Sequence, residues 1–372
     1  MIRLDLILVG FGNVGRRFVR LLDELRPALQ RDRGLDTRVV AIATRSLGQA
    51  HRSSGLDAAA LATDAAAGRS LGPRGTTRAF LRNALEQNAA AARDGRLVVV
   101  ETTTLDIATG QPAIGHVRTA LAGGAHVVTA NKGPAAFAYE RLKAAARRAG
   151  RCFLFESAVM DGVPLFNLAR EGLPGVSVTG FRGVVNATTQ HILTAMERGE
   201  SFDAALTAMQ QAGVAEADPS LDVEGWDAAA KTAALANVLL GGRLTPRTID
   251  REGVSAKAVE RVRAAKSAGR RLKLVASAEK AGSTVSARVG LTELPVTDVL
   301  GSLEGQQNAL VLRTDLLGEI AIVQRGSGLT LTAYGLVSDL VSISQEVRRM
   351  RATRPGRGGA RRDRSRATPA RR

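Results

Sequence analysis

The feature that most limits what this chain can fold into is Gly10-Phe11-Gly12-Asn13-Val14-Gly15, because it follows directly on an apolar run, residues 2–9, and opens a helical stretch. Glycines at this spacing permit a tight strand-to-helix turn at the first position. The second lets backbone approach a pyrophosphate, and the third lets helix and strand pack closely. N–H groups left unpaired at the helix start then face the phosphates. Gly10, Gly12, Asn13, Val14 and Gly15 are therefore candidate cofactor residues. An acidic residue closing the second strand would bind the ribose 2′-hydroxyl of NAD. Here the apolar run over residues 39–44 ends in Arg45-Ser46 instead. Arg45 is assigned to a 2′-phosphate, which favours NADP over NAD as cofactor.

Beyond the fingerprint, residues 97–101, 126–130 and 151–156 read as strands. Helices are predicted at 13–25, 116–122 and 134–148, and residues 46–79 read as loop with a short helix. Strands apolar on both faces and separated by helices predict a parallel sheet covered on both sides. After about residue 156 the texture changes. Strands at 176–185, 271–279, 283–289, 309–313 and 319–324 suit antiparallel pairing, beside helices at 188–198, 202–211 and 228–240. The expected class is α/β: a Rossmann-type dinucleotide-binding domain over 1–156, then an α+β catalytic and dimerisation domain over 157–331. A closing helix over 332–347 is expected to pack back on the first domain, ahead of an Arg-rich tail over 348–372.

Composition narrows the function classes. Hydrophobic residues make up 45% and aromatics only 3%, so the core must be built from Ala, Val, Leu and Ile. No apolar run approaches the ~18 residues of a membrane span, and the single cysteine, Cys152, precludes an intrachain disulfide framework. A cytoplasmic protein is expected. The net charge of +17 suggests nucleic acid at first, yet residues 348–372 hold eleven arginines against one aspartate and so carry ten of those charges. That tail is expected to be disordered and solvated, with weak nonspecific nucleic-acid contact as the alternative. No aromatic interleaves its arginines to stack on bases. The four histidines lack metal-ligand spacing, so no catalytic zinc is expected.

Three segments carry candidate chemistry. Asn131-Lys132-Gly133-Pro134 follows a strand, at the carboxyl edge where parallel sheets bind ligands, which places Lys132 beside the nicotinamide. The stretch from Glu216 to Lys231 is dense in acids within a basic protein. Asp227 and Lys231 stand four apart on one helix face, as an ordinary ion pair or as a reactive centre. Asn186-Ala187-Thr188-Thr189 joins a strand to a helix, and Thr188 or Thr189 is a candidate cap that also suits a substrate carboxylate. Should two lysines share one site, each would depress the other's pKa, with burial adding to the effect.

In this order the segments resemble the homoserine dehydrogenase family over nearly the whole chain to about residue 347. The resemblance runs through the glycine fingerprint, Glu101-Thr102-Thr103, Asn131-Lys132, Glu156-Ser157-Ala158-Val159, Asn186 to Thr188, Glu216-Ala217-Asp218-Pro219, Asp222, Asp227, Lys231 and Gly326-Ser327-Gly328. Ala187, Gln190-His191, Val214 and Ser327 depart from the common pattern. The resemblance implies reversible hydride transfer between NAD(P) and L-homoserine or L-aspartate 4-semialdehyde, in threonine and methionine biosynthesis. It makes Lys231 the preferred group for proton transfer, Lys132 a second candidate, and Asp227 their orienting carboxylate. Glu216 and Asp222 would bind the substrate ammonium, Thr188 substrate and cofactor, and Thr102 and Lys132 the cofactor. A sodium or other monovalent cation is implied on main-chain oxygens of Glu156, Val159, Asp161 and Val163, and a homodimer through the second domain. The form resembled is a short one with no C-terminal regulatory domain, so no threonine feedback through such a domain is expected. Two other readings share parts of this pattern: a dehydrogenase of another small amino acid or aldehyde, and a dinucleotide-binding sensor with a nucleic-acid-binding tail.

Overall fold

The structure, a computed structural model, describes residues 1–211 and 218–353. Glu216 and Val214, and the chain after Thr353, lie outside the described residues. The first six strands are β1 (Ile2–Val9), β2 (Leu35–Ala43), β3 (Gln49–His51), β4 (Leu97–Glu101), β5 (His126–Thr129) and β6 (Phe153–Leu154). They form one sheet in the order β3-β2-β1-β4-β5-β6, parallel throughout except for the short β3. The connections hold α1 (Asn13–Arg33), α2 (Ala58–Ala66), α3 (Thr77–Gln87), α4 (Ala89–Arg93), α5 (Ala113–Ala122) and α6 (Gly133–Ala149). Strand order reverses between β1 and β4, and the carboxyl ends of these two strands open the crevice where such sheets take ligands.

Alternation along β1 sorts the core. Leu4, Leu6 and Leu8 join a cluster with Phe18, Val19 and Leu22 of α1, whereas Ile7 and Val9 belong to the cluster that contains Leu81, Val117 and Ala135. The sheet is thus covered on both faces.

The second half begins with a short 3-10 turn, Glu156–Ala158, and the single turn α7 (Leu165–Asn167). Its sheet is built from β7 (Val178–Val184), β8 (Asp250–Arg251), β9 (Arg270–Ala281), β10 (Thr284–Pro295), β11 (Asn308–Thr314) and β12 (Glu319–Gln324). The order is β12-β11-β7-β9-β10-β8, antiparallel except for β8. Helices α8 (Ala187–Glu197), α9 (Phe202–Gln211), α10 (Ser220–Val223), α11 (Trp226–Leu239) and α12 (Val259–Ser267) accompany it. The last helix, α13 (Leu329–Thr353), returns to the first sheet. Its Leu336, Val337, Leu340, Ile343 and Val347 are buried in the same cluster as Leu4 and Phe18. At about 1.5–3 kcal/mol for each such side chain, this burial is worth at most about 15 kcal/mol.

The structure departs from the sequence expectation in several places. The predicted helix 13–25 stops short of Pro27, yet α1 runs through it to a left-handed Gly34 cap. A proline inside a helix costs about 3 kcal/mol, and here Leu25 and Leu29, packed on the core either side of it, offset that cost. The stretch read as loop with a short helix holds that helix, α2, and in addition β3 and the start of α3. The predicted strand 151–156 shrinks to β6, because Glu156 turns the chain. Cys152 consequently lies before the strand and is half-buried. Helix α13 continues over residues 348–353, which the sequence places in the tail, and the Arg348 guanidinium donates to the carbonyl of Arg33 at the end of α1.

Where α13 meets the 3-10 turn, two acids are buried together. The Glu156 N–H donates to Asp339 Oδ2 at 2.9 Å, and the Glu156 carboxylate accepts the N–H groups of Phe166 and Asn167 at 2.7 Å each. Burial pushes the Glu156 carboxyl up to about 6. Burial, with Glu156 beside it, pushes Asp339 well above the carboxylate range. Acids raised in the folded state bind protons that the unfolded chain has lost, so stability falls as pH rises from about 4 through these values. We expect Asp339→Asn, which keeps an acceptor for Glu156, to flatten that fall and to melt a few degrees above wild type at pH ~8. Thermal denaturation of both proteins between pH 5 and 8 checks this, and parallel curves would refute it.

Candidate active site

Four features build a dinucleotide cradle at the carboxyl edge of the first sheet. Gly10 adopts φ +91°, and a Cβ there would lie 2.7 Å from the carbonyl carbon and oxygen of Thr102. Only glycine lets the ends of β1 and β4 come this close. Thr102 closes the seam, its N–H donating to Val9 O at 2.8 Å and its Oγ1 to Gly10 O at 3.0 Å. By contrast, no described atom lies within 4 Å of a Cβ built on Gly12. Helix α1 starts there with no side-chain cap and no acid in its first turn. Its first N–H groups and the positive end of its dipole therefore meet open space, which fits an anionic diphosphate. Asn13 is exposed and Val14 partly so at this same start, while Gly15 lies beneath, 3.1 Å by its would-be Cβ from Gly10 O. Arg45 lies exposed at the tip of the β2–β3 turn, which Thr44 braces through Gly48 O and the Leu47 N–H. It pairs with none of the described residues.

The neighbouring loops are tied by a completely buried carboxylate, Glu101, at the end of β4. It accepts from the Thr103 N–H at 3.1 Å, from the Thr103 hydroxyl, and from Thr129 Oγ1 at 2.9 Å. Asn131 continues the tie, its Nδ2 donating to Thr103 O at 2.9 Å and its Oδ1 accepting the Gly133 N–H at 2.8 Å. Lys132 stands between them at the start of α6.

Helix α11 packs on α6 through small residues, among them Ala229, Ala233, Ala135 and Ala136, all fully buried. Asn237 pins the contact by donating to Ala135 O and Ala136 O at 3.2 Å each. The first two turns of α11 thereby meet the start of α6. Asp227 Oδ1 lies 2.9 Å from Lys132 Nζ, and Asp227 Oδ2 lies 3.0 Å from Lys231 Nζ. The i,i+4 pair legible in the sequence is thus one half of a lysine–carboxylate–lysine bridge between the two domains. Lys231 Nζ also donates to Val185 O at 2.6 Å, which leaves one of its three donor positions for a ligand.

The electrostatics correct one expectation. Burial does disfavour the charge on Lys132, but Asp227, with Asp222 and Asp161 also near, outweighs it and raises the lysine above its usual range. Burial likewise opposes the Asp227 charge, and Lys132 and Lys231 outweigh it and hold the carboxyl well below the usual range. Lys132 is not depressed here because an anion sits between it and the second lysine.

Asp222 on α10 lies alongside. Asn186 Nδ2 donates to Asp222 Oδ1 at 2.7 Å and to Asp227 Oδ2 at 2.9 Å, and Thr188 Oγ1 donates to Asp222 Oδ2 at 3.1 Å. Burial, and then the nearby Asp227, raises the Asp222 carboxyl. The cap of α8 is Asn186, whose Oδ1 accepts the Thr189 N–H at 2.9 Å, and not Thr188 or Thr189 as the sequence suggests. Trp226 donates to Glu224 at 3.1 Å and lies under the Arg251 guanidinium at 3.6 Å.

Glu156, Val159, Asp161 and Val163 share one connecting segment. Asp161 has φ +50°, and its carboxylate accepts from Gln324 and Thr332 at 2.8 Å each. With both carboxylates of this segment engaged, main-chain oxygens are what it could offer a cation, and the Val163 carbonyl already accepts from Leu165 N–H at 2.7 Å. Glu101 and Asn186 stand in segments the sequence singles out but receive no role there, and Asn237 escaped the sequence reading. An acid closing an all-apolar strand and an asparagine directly before a helix were the available signals for the first two.

A phosphate cradle on a doubly wound sheet, with lysines and a carboxylate at the same edge, defines a dinucleotide-dependent oxidoreductase acting on a small molecule. Residues 10–156 match the family described as homoserine dehydrogenase, NAD binding domain, and residues 164–341 that described as homoserine dehydrogenase. The chain is 37% identical to the NAD(+)-dependent homoserine dehydrogenase of Pseudomonas canavaninivorans, covering 94% of this chain and 98% of that one. It is 34% identical to the homoserine dehydrogenase of Methanocaldococcus jannaschii, covering 91% and 98% respectively. The crystal structure of a homoserine dehydrogenase from Thiobacillus denitrificans superposes with a TM-score of 0.75 at 31% identity, covering 92% of this chain and 73% of that one. This chain belongs to the homoserine dehydrogenase family and is a nicotinamide-dinucleotide-dependent oxidoreductase.

Two glycines should separate folding from cofactor binding. Gly12→Ala meets open space, so it should melt like wild type yet bind the dinucleotide at least about tenfold more weakly. Gly10→Ala should instead lower the melting temperature, because its Cβ collides with Thr102. Calorimetric melting and cofactor titration of both variants decide the point. Equal cofactor affinity for Gly12→Ala and wild type would contradict it.

Proposed function

We propose that this protein interconverts L-homoserine and L-aspartate 4-semialdehyde with NADP preferred over NAD, the reaction running over the Lys132–Asp227–Lys231 bridge. The bridge is the observation that carries the reading: an ordinary surface ion pair would not recruit a second lysine from another domain onto the same carboxylate. The bound nicotinamide supplies the hydride acceptor or donor. Gly10, Gly12, Asn13, Val14, Gly15 and Thr102 would hold the dinucleotide, and Arg45 a 2′-phosphate.

The protein's own work is orientation and one proton. Lys132, kept as an ammonium by Asp227, offers a charged donor to the reacting oxygen. Such a donor polarises the aldehyde in reduction and stabilises the developing alkoxide in oxidation. In oxidation Lys231 enters as the neutral amine and takes the hydroxyl proton, becoming the ammonium; in reduction it enters as the ammonium and gives that proton to the developing alkoxide. Asp227 accepts from both amines and fixes their directions. Asp222, with Glu216, receives the substrate ammonium, and Thr188 sets the angle of Asp222.

Sodium or another monovalent cation on the carbonyls of Glu156, Val159, Asp161 and Val163 belongs to the same reading. It is supported by the engagement of both acidic side chains elsewhere, and melting in sodium against a bulky organic cation measures it. So does a homodimer through the second domain, supported by Val323, exposed on the edge strand β12, and measured by sedimentation. Among the described residues no helix is long and apolar enough to cross a membrane, which accords with a cytoplasmic site of action.

Lys231→Met should lower kcat for homoserine oxidation about 10²–10⁴-fold with little change in cofactor affinity. Lys132→Met should lower kcat in both directions. Dihydronicotinamide absorbance reads each rate, and near-normal turnover in Lys231→Met would remove it from the proton step. Cofactor choice is tested by Arg45→Ala. The variant should lose about tenfold or more in kcat/KM for NADP and keep its NAD rate. An unchanged ratio would return the preference to NAD, the cofactor in the name of the Pseudomonas relative.

A further inference from the structure

We propose that Asn186 is a positioning residue of the reaction, a single amide that sets the substrate-ammonium side and the proton-handling side of the site in one register. The proposal rests on the roles given above to Asp222 and Asp227.

Asn186 is buried at the junction of β7 and α8. Every hydrogen-bonding position of its amide is occupied. Oδ1 accepts from the Thr189 N–H and from Thr189 Oγ1, both at 2.9 Å. Nδ2 uses its two hydrogens on Asp222 Oδ1 at 2.7 Å and Asp227 Oδ2 at 2.9 Å. A flipped amide would set its NH2 against the Thr189 N–H and its oxygen against two carboxylates, so the orientation is determined by its partners. Two like charges from different helices are thus held on one neutral donor group. Like charges repel, and Asp222, which lacks the two lysine partners that hold Asp227, is the one that would otherwise turn away. The amide removes that freedom. It turns the remaining Asp227 oxygen to Lys132, and it leaves Asp222 Oδ2 to Thr188.

Capping alone would give Asn186 a structural role, and substitution can separate the two. Serine and aspartate both cap helices well. Serine cannot reach two carboxylates at once, and aspartate offers them a third negative charge in place of two donors. For Asn186→Ser we expect a melting temperature close to wild type. Its homoserine kcat/KM should fall about 100-fold, shared between a higher homoserine KM and a lower kcat, because displacement of a reacting group by about 1 Å costs on that order. The KM for the dinucleotide should stay within about twofold of wild type. Asn186→Asp should fall further than Asn186→Ser, and it decides the matter if the serine variant fails to fold. A folded serine or aspartate variant with wild-type homoserine kinetics overturns the proposal, as does a loss confined to stability. Lys231→Met run alongside separates this from failure of the underlying reading. If Lys231→Met turns over like wild type, that reading falls and this proposal with it. If Lys231→Met is inactive while Asn186→Ser is unimpaired, only the role of Asn186 falls.

Discussion

One carboxylate shared by two amines holds this molecule's chemistry together. Asp227 comes from the second domain, Lys231 from the next turn of the same helix, and Lys132 from the loop that leaves the first sheet. Burying three charges is expensive unless each finds a partner. The 2:1 arrangement leaves an excess positive charge that only an anion or a polarised oxygen can complement. The neighbouring Asp222 partly balances it; Lys231 acts to lower the Asp222 carboxyl, but burial and the adjacent Asp227 outweigh this and raise it. The site therefore carries its own selection rule. It favours a ligand that brings an oxygen to the lysines and a positive group to the acid.

The packing that delivers these groups depends on small side chains. With aromatics at 3% of the chain, the contact of α6 with α11 is made by alanines. Alanine faces let two helix axes approach closely, and the backbone carbonyls of α6 then come within reach of Asn237. Larger residues there would move Lys132 away from Asp227 without touching either. Precision in the site is thus set several residues away from it.

Much of this was legible in the amino-acid sequence, and the remainder shares a physical cause. The glycine fingerprint, the parallel strands and the Asp227–Lys231 spacing are local patterns, and local patterns report local geometry. Pro27 misled because its penalty is local while the burial of Leu25 and Leu29 is tertiary. Helix α12 was not read at all, since its nine residues carry only two buried side chains, Val262 and Ala265. The Lys132–Asp227 contact joins residues 95 positions apart, and no periodicity announces it. The same holds for the pKa of Lys132. Two lysines and a carboxylate were visible, but which stood in the middle was not. Glu216, the other residue read as an ammonium ligand, lies outside the described residues.

Helix α13 has a consequence for how the chain comes into being. It covers one face of the first sheet, over Leu4, Leu6 and Phe18, yet it lies more than 300 residues downstream of them. A ribosome adding about 5–20 residues per second needs roughly 10–40 seconds to pass from the last strand of that sheet to the helix that closes it. During that interval the nascent nucleotide-binding domain presents an unclosed apolar stripe to solvent, and the second domain is synthesised in full before the first is finished. Completion of the earliest-made sheet therefore waits on residues 329–353, made after the whole of the second domain.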